Sequence, residues 1–207
     1  MIPLVVCTKG SKSLSVMQQS IAAYALDQVQ MCVFSTNHTN FGDAYNYAMR
    51  KLFEGHDEIL FANDDIVLHP STIPFLMEDV QNLKASVPLL GLVAPRSDNV
   101  RPGQCIKYVG GESPTEVYAL SPILAWISRE AFEKAPFPPI NWFSDDVQCA
   151  DLCALGYRHF LSRSYVHHVG SSTIGYDNKR HTDEARPWIV QNRPHYAERW
   201  GLIERQH

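Results

Sequence analysis

Apolar residues along this chain switch repeatedly between short continuous runs and helical spacing. Residues 2–7 ("IPLVVC") form a compact run rich in β-branched side chains, which predicts a buried strand. The turn-like "TKGSKS" follows, and residues 14–26 then place Val16, Met17, Ser20, Ile21, Tyr24 and Ala25 at helix period. A second strand is expected over 30–35 ("QMCVFS"), ending in the polar loop "TNHTN". Ala44, Tyr47, Ala48, Lys51 and Leu52 predict a helix from about 42 to 53. Residues 57–68 read as a third strand and 89–94 as a fourth. Between them, "HPST" offers Ser71 or Thr72 near the start of a helix over 73–84.

Strands alternating with helices predict a parallel α/β sheet, in which ligands sit beyond the carboxyl ends of the strands. Thr8, Asn37 and the triplet Asn63-Asp64-Asp65 fall at those ends. The second half is loop-rich, with short strand candidates at 106–109 and 116–120. "PILAWISREAFEKAPF" reads as a strand and a short helix. "WFSDDVQCADLCALGYRHF" reads as a loop entering a helix that stops near Gly156, and "SYVHHVGSST" as a last strand running into a small-residue loop. Residues 170–186 lack an apolar period and read as a mobile connector. Its Lys179, Arg180 and His181 are placed to close over an anion.

Composition narrows the function classes. At 207 residues, 45% hydrophobic and 19% charged, the chain suits one globular domain. A net charge of -4 with scattered lysines and arginines lacks the basic stripe of a protein that grips a phosphate backbone. No apolar run approaches a membrane span, and no basic segment with a long apolar stretch opens the chain. Five cysteines, odd in number and without CxxC spacing, suggest reduced thiols and a cytoplasmic setting. Cys149 and Cys153 stand one helical turn apart with His159 beyond, but a four-ligand zinc set is missing.

Three polar clusters interrupt this apolar framework. Adjacent aspartates such as Asp64-Asp65 cap helices or bind backbone amides in many turns. They also suit a hard divalent cation completed by substrate phosphates, in the style of Mg²⁺ or Mn²⁺. Asp145-Asp146, after Trp142-Phe143-Ser144, fit a helix N-terminus on electrostatic grounds and equally suit a general base. His167 and His168 on one strand point to opposite faces, so at most one faces a site.

Taken in order, these segments resemble the nucleotide-sugar glycosyltransferases of the GT-A fold, most closely glycosyltransferase family 2. "FANDDIVLHP" is similar to that family's DxD-like motif in its xNDD form. "NFGDAYNYAM" (Asn40, Gly42, Asn46) resembles its upstream N-x-G pattern, and "FSDDVQCADLCALGYR" its acceptor-side acidic segment. "VHHVGSST" and the tail "HYAERWG" resemble its last two motifs. The chain departs from the pattern at Asp145, usually Glu, and at Gln148 and Ala150, where many members carry Asp and Arg. It is also short, which implies a stripped-down acceptor region.

The resemblance implies a Rossmann-like, mainly parallel α/β sheet over residues 1–207. Residues 1–95 form the nucleotide-sugar-binding half, and 96–207 a loop-rich acceptor side with the C-terminal tail. It implies an inverting, metal-dependent transfer from a nucleotide sugar, most often a UDP-sugar, to a hydroxyl acceptor. Asp65 is then the direct ligand of Mn²⁺ or Mg²⁺, with His168 as second contact and His167 as fallback. Asn63 and Asp64 hold the ribose or a metal-bound water, and Thr8, Lys9 and Asn37 cradle the nucleoside, with Asn40 and Asn46 carried by the upstream motif. Asp146, or Asp145 if the register slips by one, deprotonates the acceptor. Saccharide, protein, lipid-linked sugar and modified nucleobase all remain open as acceptors, the lipid disfavoured for want of an anchor. The rivals are a sugar-phosphate nucleotidyltransferase, a haloacid-type phosphatase and a non-catalytic module. The first needs a Gly-rich loop and the second an early DxDx[TV], where this chain has "VVCTKGSKS".

Overall fold

Alternate residues of the first strand, β1 (Ile2–Thr8), divide the interior into two faces. Leu4 and Val6 pack with Met17 and Ile21 of helix α1 (Ser13–Tyr24). Val5, between them, packs with Tyr45, Ala48 and Met49 of α2 (Phe41–Phe53). The next core strand, β3 (Glu58–Ala62), repeats the division, Leu60 and Ala62 on the first face and Ile59 and Phe61 on the second. Each fully buried Leu, Val, Ile, Phe or Met side chain here contributes about 1.5–3 kcal/mol. The structure is a computed structural model, described over residues 1–35, 37–107, 111–170 and 177–203.

The remaining elements are β2 (Val29–Ser35), β4 (Ile66–Leu68), α3 (Thr72–Ser86), β5 (Leu90–Ser97), β6 (Thr115–Val117), β7 (Leu124–Ser128), α4 (Arg129–Lys134), α5 (Ser144–Ala154), β8 (Arg158–His168), α6 (Asn178–Asn192) and α7 (Pro194–Arg199). Seven strands lie in the order β2-β1-β3-β7-β5-β8-β4, and β6 pairs with β8. Strands β1, β2 and β3 run parallel to one another, as do β5 and β8. The intervening β7 is antiparallel to both β3 and β5. Helices α1 and α3 supply the first face, and α2, α4 and α5 the second.

The structure corrects the expected elements in five places. The segment 57–68 is two strands: Asn63-Asp64-Asp65 ends β3 in the middle of the sheet, and β4 resumes at its far edge, antiparallel to β8. Of the candidate strand at 106–109, residues 106 and 107 lie in a turn after an isolated bridge between Ser97 and Cys105, and residues 108 and 109 lie outside the described set. The strand expected at 116–120 is the shorter β6, and the last strand begins earlier, at Arg158. In the connector, residues 171–176 lie outside the described residues, but from Asn178 the chain is helical. The Asp177 side chain caps α6 by accepting from the Arg180 amide. His181, Ala185 and Ile189, four residues apart, bury one face of α6. Their period was hidden by a histidine and an alanine standing where large apolar residues are sought.

A zinc site at Cys149, Cys153 and His159 is also excluded. His159 Nδ1 accepts the Leu92 amide at 2.9 Å, so Nε2 donates to the Cys149 carbonyl at 3.1 Å, and both ring nitrogens are used. Burial lowers the pKa of this histidine and keeps it neutral. All five cysteines are free thiols. Among the described residues, no helix is long and apolar enough to cross a membrane.

Candidate active site

Because β1, β3, β5 and β8 share a direction, their carboxyl ends meet at one edge of the sheet. There they face the N-terminus of α5 across a cleft of about 690 Å³. Thr8, Lys9, Asn40, Asn63, Asp64, Asp65, His168, Asp145 and Asp146 all line it. Asn37 is exposed and does not line it. Asn46 is buried away from the cleft, where its side chain accepts from the Phe137 amide (3.0 Å) and donates to the Phe137 carbonyl (2.7 Å). Both of its side-chain polar atoms are engaged in bracketing that loop.

The other residues of the upstream motif are likewise explained by backbone geometry. Asn40 caps α2, its Oδ1 accepting from the Asp43 amide and its amide donating to the Asp43 carboxylate, both at 2.8 Å. Gly42 lies so close to the next loop that a Cβ there would stand 1.8 Å from the Pro138 carbonyl oxygen. The N-x-G pattern therefore seats the start of α2 against residues 138–140.

On the sheet side, Thr8 Oγ1 donates to Asp64 Oδ2 at 2.6 Å, and the Asn63 amide donates to the Ile123 carbonyl at 3.0 Å. Burial raises the Asp64 pKa, and the Thr8 hydroxyl opposes that rise. The β4–β8 register sets Ile66 opposite His168, which brings His168 beside Asp65. Its Nε2 lies 3.3 Å from Asp65 Oδ1, and its Nδ1 donates to the Asn99 carbonyl at 2.7 Å. His167 turns to the other face and binds the Asp98 carboxylate at 2.6 Å. Side-chain exposure separates the two, 13% for His168 and 47% for His167. Burial disfavours the charged His168 imidazole, but Asp65 and the Asn99 carbonyl outweigh it and raise its pKa.

The opposite wall carries a residue that sequence reasoning missed. Arg101 Nη1 donates to Asp146 Oδ1 at 2.8 Å, Nη2 to Asp145 Oδ2 at 3.2 Å, and Nε to Ser121 Oγ at 2.9 Å. Arginine stands 44 positions before Asp145, in a segment read only as loop, so no local pattern ties it to the acidic pair. Burial and the Asp146 charge push the Asp145 carboxyl up to about 7, with Arg101 opposing. Phe143, just before the pair, adopts left-handed φ of 65°, a strained value for a non-glycine residue. Its ring stacks on Trp200 at 5.6 Å. The tail is itself anchored by Asp151, which accepts from Arg193 and from the Tyr196 hydroxyl. "HYAERWG" thus holds the loop that aims Asp145 and Asp146.

Asp65 and His168 fit a divalent cation. With Nδ1 committed to a carbonyl, the imidazole presents an Nε2 lone pair on the side of the Asp65 carboxylate once that nitrogen gives up its proton. Among the described residues, no group of three or more His, Cys, Asp or Glu side chains could hold a metal ion.

No protein-family model and no curated protein matches the chain. Solved structures do. A197 from STIV is similar with a TM-score of 0.58 and 17% identity, over 83% of this chain and 87% of that one. S. aureus TarS 1-349 in complex with UDP-GlcNAc gives a TM-score of 0.60 at 14% identity, over 92% of this chain and 66% of that one. GalNAc-T7 with UDP, GalNAc and Mn²⁺ gives 0.60 at 11% identity, over 92% of this chain and 48% of that one. At such identities the likeness is one of fold, and this chain spans less than two thirds of the latter two structures. The chain has the α/β fold of the GT-A glycosyltransferases.

Proposed function

We propose that this protein is a metal-dependent, inverting glycosyltransferase that moves a sugar from a nucleoside diphosphate, UDP above all, to a hydroxyl acceptor. One observation carries the reading: a single cleft sets Asp64, Asp65 and His168 on the sheet edge against Asp145 and Asp146 on α5. The first group suits a cation and diphosphate, the second an acceptor proton. The fold of structures crystallised with UDP-GlcNAc, or with UDP, GalNAc and Mn²⁺, supports the same donor class.

Asp65 and His168 would hold Mn²⁺ or Mg²⁺, which when bound neutralises charge gathering on the departing diphosphate. Thr8 fixes Asp64, leaving Asn63 and Lys9 on the donor side of the cleft. Asp146 takes the proton of the acceptor hydroxyl, with Asp145 as the alternative base. The hydroxyl oxygen bonds to the anomeric carbon as the bond from that carbon to the diphosphate oxygen breaks. The electron pair leaves with the nucleoside diphosphate. Attack from the face opposite the leaving group inverts the configuration.

The test is a thermal-shift and turnover panel of nucleoside diphosphates and their sugars, with Mn²⁺ or with EDTA. UDP plus Mn²⁺ at 100 times its dissociation constant should stabilise the protein by about 2.7 kcal/mol. UDP-GlcNAc and other UDP-sugars should be consumed only in the presence of metal. No nucleotide effect under any condition would overturn the reading.

A further inference from the structure

The loop leaving β5 touches both walls of the cleft within four residues. Asp98 Oδ2 binds the His167 ring and Oδ1 accepts the His168 amide. The Asn99 carbonyl orients the His168 ring, and its side chain donates to the Val169 carbonyl at 3.3 Å. Gly170, at φ +87°, leaves room for that side chain, since a Cβ there would stand 2.0 Å from Asn99 Nδ2. Arg101 then reaches the other wall, with all three guanidinium nitrogens engaged on Asp146, Asp145 and Ser121.

The loop is pinned. Gln104 is buried with a saturated amide: it donates to the Pro95 carbonyl (2.9 Å) and the Ser121 carbonyl (3.0 Å), and accepts the Ser121 amide (2.8 Å). The guanidinium therefore points at the acidic pair from a fixed base, and the pair's own backbone is fixed by the Phe143–Trp200 stack.

We propose that Arg101 is a positioning residue for the transfer reaction, aiming the Asp146 carboxylate into the cleft while its charge offsets that of Asp145. This rests on the transferase reading above. Two adjacent ionised carboxylates with one fixed cation carry a net charge of about −1, so one anion stays available to accept a proton. Without the cation the two repel more strongly, hold a proton between them to higher pH and lose a common orientation. Asp146 Oδ1 is occupied by Nη1, so the acceptor hydroxyl is addressed by the other carboxylate oxygen. Arg101 donates to Asp146, Asp145 and Ser121, on the acceptor side of the cleft, which separates donor binding from the step Arg101 serves.

The experiment follows UDP release from UDP-N-acetylglucosamine with water as acceptor, alongside calorimetry of UDP with Mn²⁺ and a melting curve. It compares wild type, Arg101→Gln, Arg101→Lys and Ser121→Ala. Arg101→Gln should lower kcat on the order of 10²-fold, the scale of a misplaced reacting group, with UDP affinity unchanged. Arg101→Lys should recover part of that loss, because an ammonium restores charge without the fork. Ser121→Ala, which removes only the Nε anchor, should fall between wild type and Arg101→Gln. It keeps the test alive if Arg101→Gln does not fold. Full kcat in Arg101→Gln or Ser121→Ala, with wild type active, would overturn the Arg101 role alone. A wild-type protein that binds UDP but releases none from the sugar would overturn the transferase reading, and this role with it.

Discussion

His168 Nε2 and Asp65 Oδ1 stand 3.3 Å apart, although 103 positions separate them in the chain. The contact follows from the detour after β3: the chain leaves the middle of the sheet at Asn63, crosses to the far edge and pairs β4 with β8. Ile66 then faces His168, and the residue before it faces the ring.

That juxtaposition makes the first prediction. Asp65→Asn and His168→Ala should each weaken Mn²⁺-dependent UDP binding by at least the roughly 10–100-fold seen when even an outer partner of a metal ligand is removed. His167→Ala should not, since His167 lies on the other face and binds Asp98. Calorimetry of UDP with Mn²⁺ and with EDTA measures both. Equal affinity with and without the cation would remove the metal role from this pair.

A second prediction concerns pH. The Asp145 carboxyl is raised from near 3.8 to about 7, by burial first and by Asp146 next, against Arg101. Between those values the folded protein holds a proton that the unfolded chain has already released. Stability from this group is therefore lost as pH rises through the window. Asparagine resembles the protonated form and does not titrate. The melting temperature of Asp145→Asn should thus gain on wild type from about pH 4 to about 7 and hold a constant difference above. Transfer or hydrolysis rate should rise over the upper part of the same window, as the pair gives up its shared proton. A stability difference that does not vary with pH would show that Asp145 titrates in its ordinary range.

Most of this was legible in the sequence where one element decides by itself. Val5 beside Leu4 and Val6, or Met17 and Ile21 four apart, announce their faces by period alone, and strand ends locate Thr8 and Asn63–Asp65. What could not be read is pairing between distant segments. The insertion of β7 between β3 and β5 leaves no local mark, nor does the reach of Arg101 to Asp145. Motif resemblance misleads in a different way. Asn46 stands where a nucleotide-contacting role was expected, yet its amide satisfies one peptide of the Phe137 loop.

That correction can be tested against Asn40. Asn46→Ala would strand a buried amide and a buried carbonyl at Phe137, costing roughly 2–4 kcal/mol. Asn40→Ala removes an N-cap worth about 1 kcal/mol. Denaturant melts should therefore rank Asn46→Ala well below Asn40→Ala, while calorimetry gives Asn46→Ala the UDP affinity of wild type whenever it is folded. A stable Asn46→Ala with weakened UDP binding would return Asn46 to the site.

The last prediction falls on His181, buried to 2% exposure and stacked on Trp142 at 5.4 Å. Its Nδ1 lies 3.9 Å from the exposed Glu184 carboxylate, too far for a firm bond, and its buried Nε2 has no hydrogen-bond partner among the described residues. A buried nitrogen without a partner costs free energy that an apolar ring of similar shape does not. Phenylalanine keeps a flat ring on Trp142 and the apolar face shared with Ala185 and Ile189. His181→Phe should therefore raise stability by about 1 kcal/mol at pH 8. Urea melts of both proteins at pH 8 give the number. A destabilised His181→Phe would mean that Nε2 makes a bond worth more than the ring it sits on.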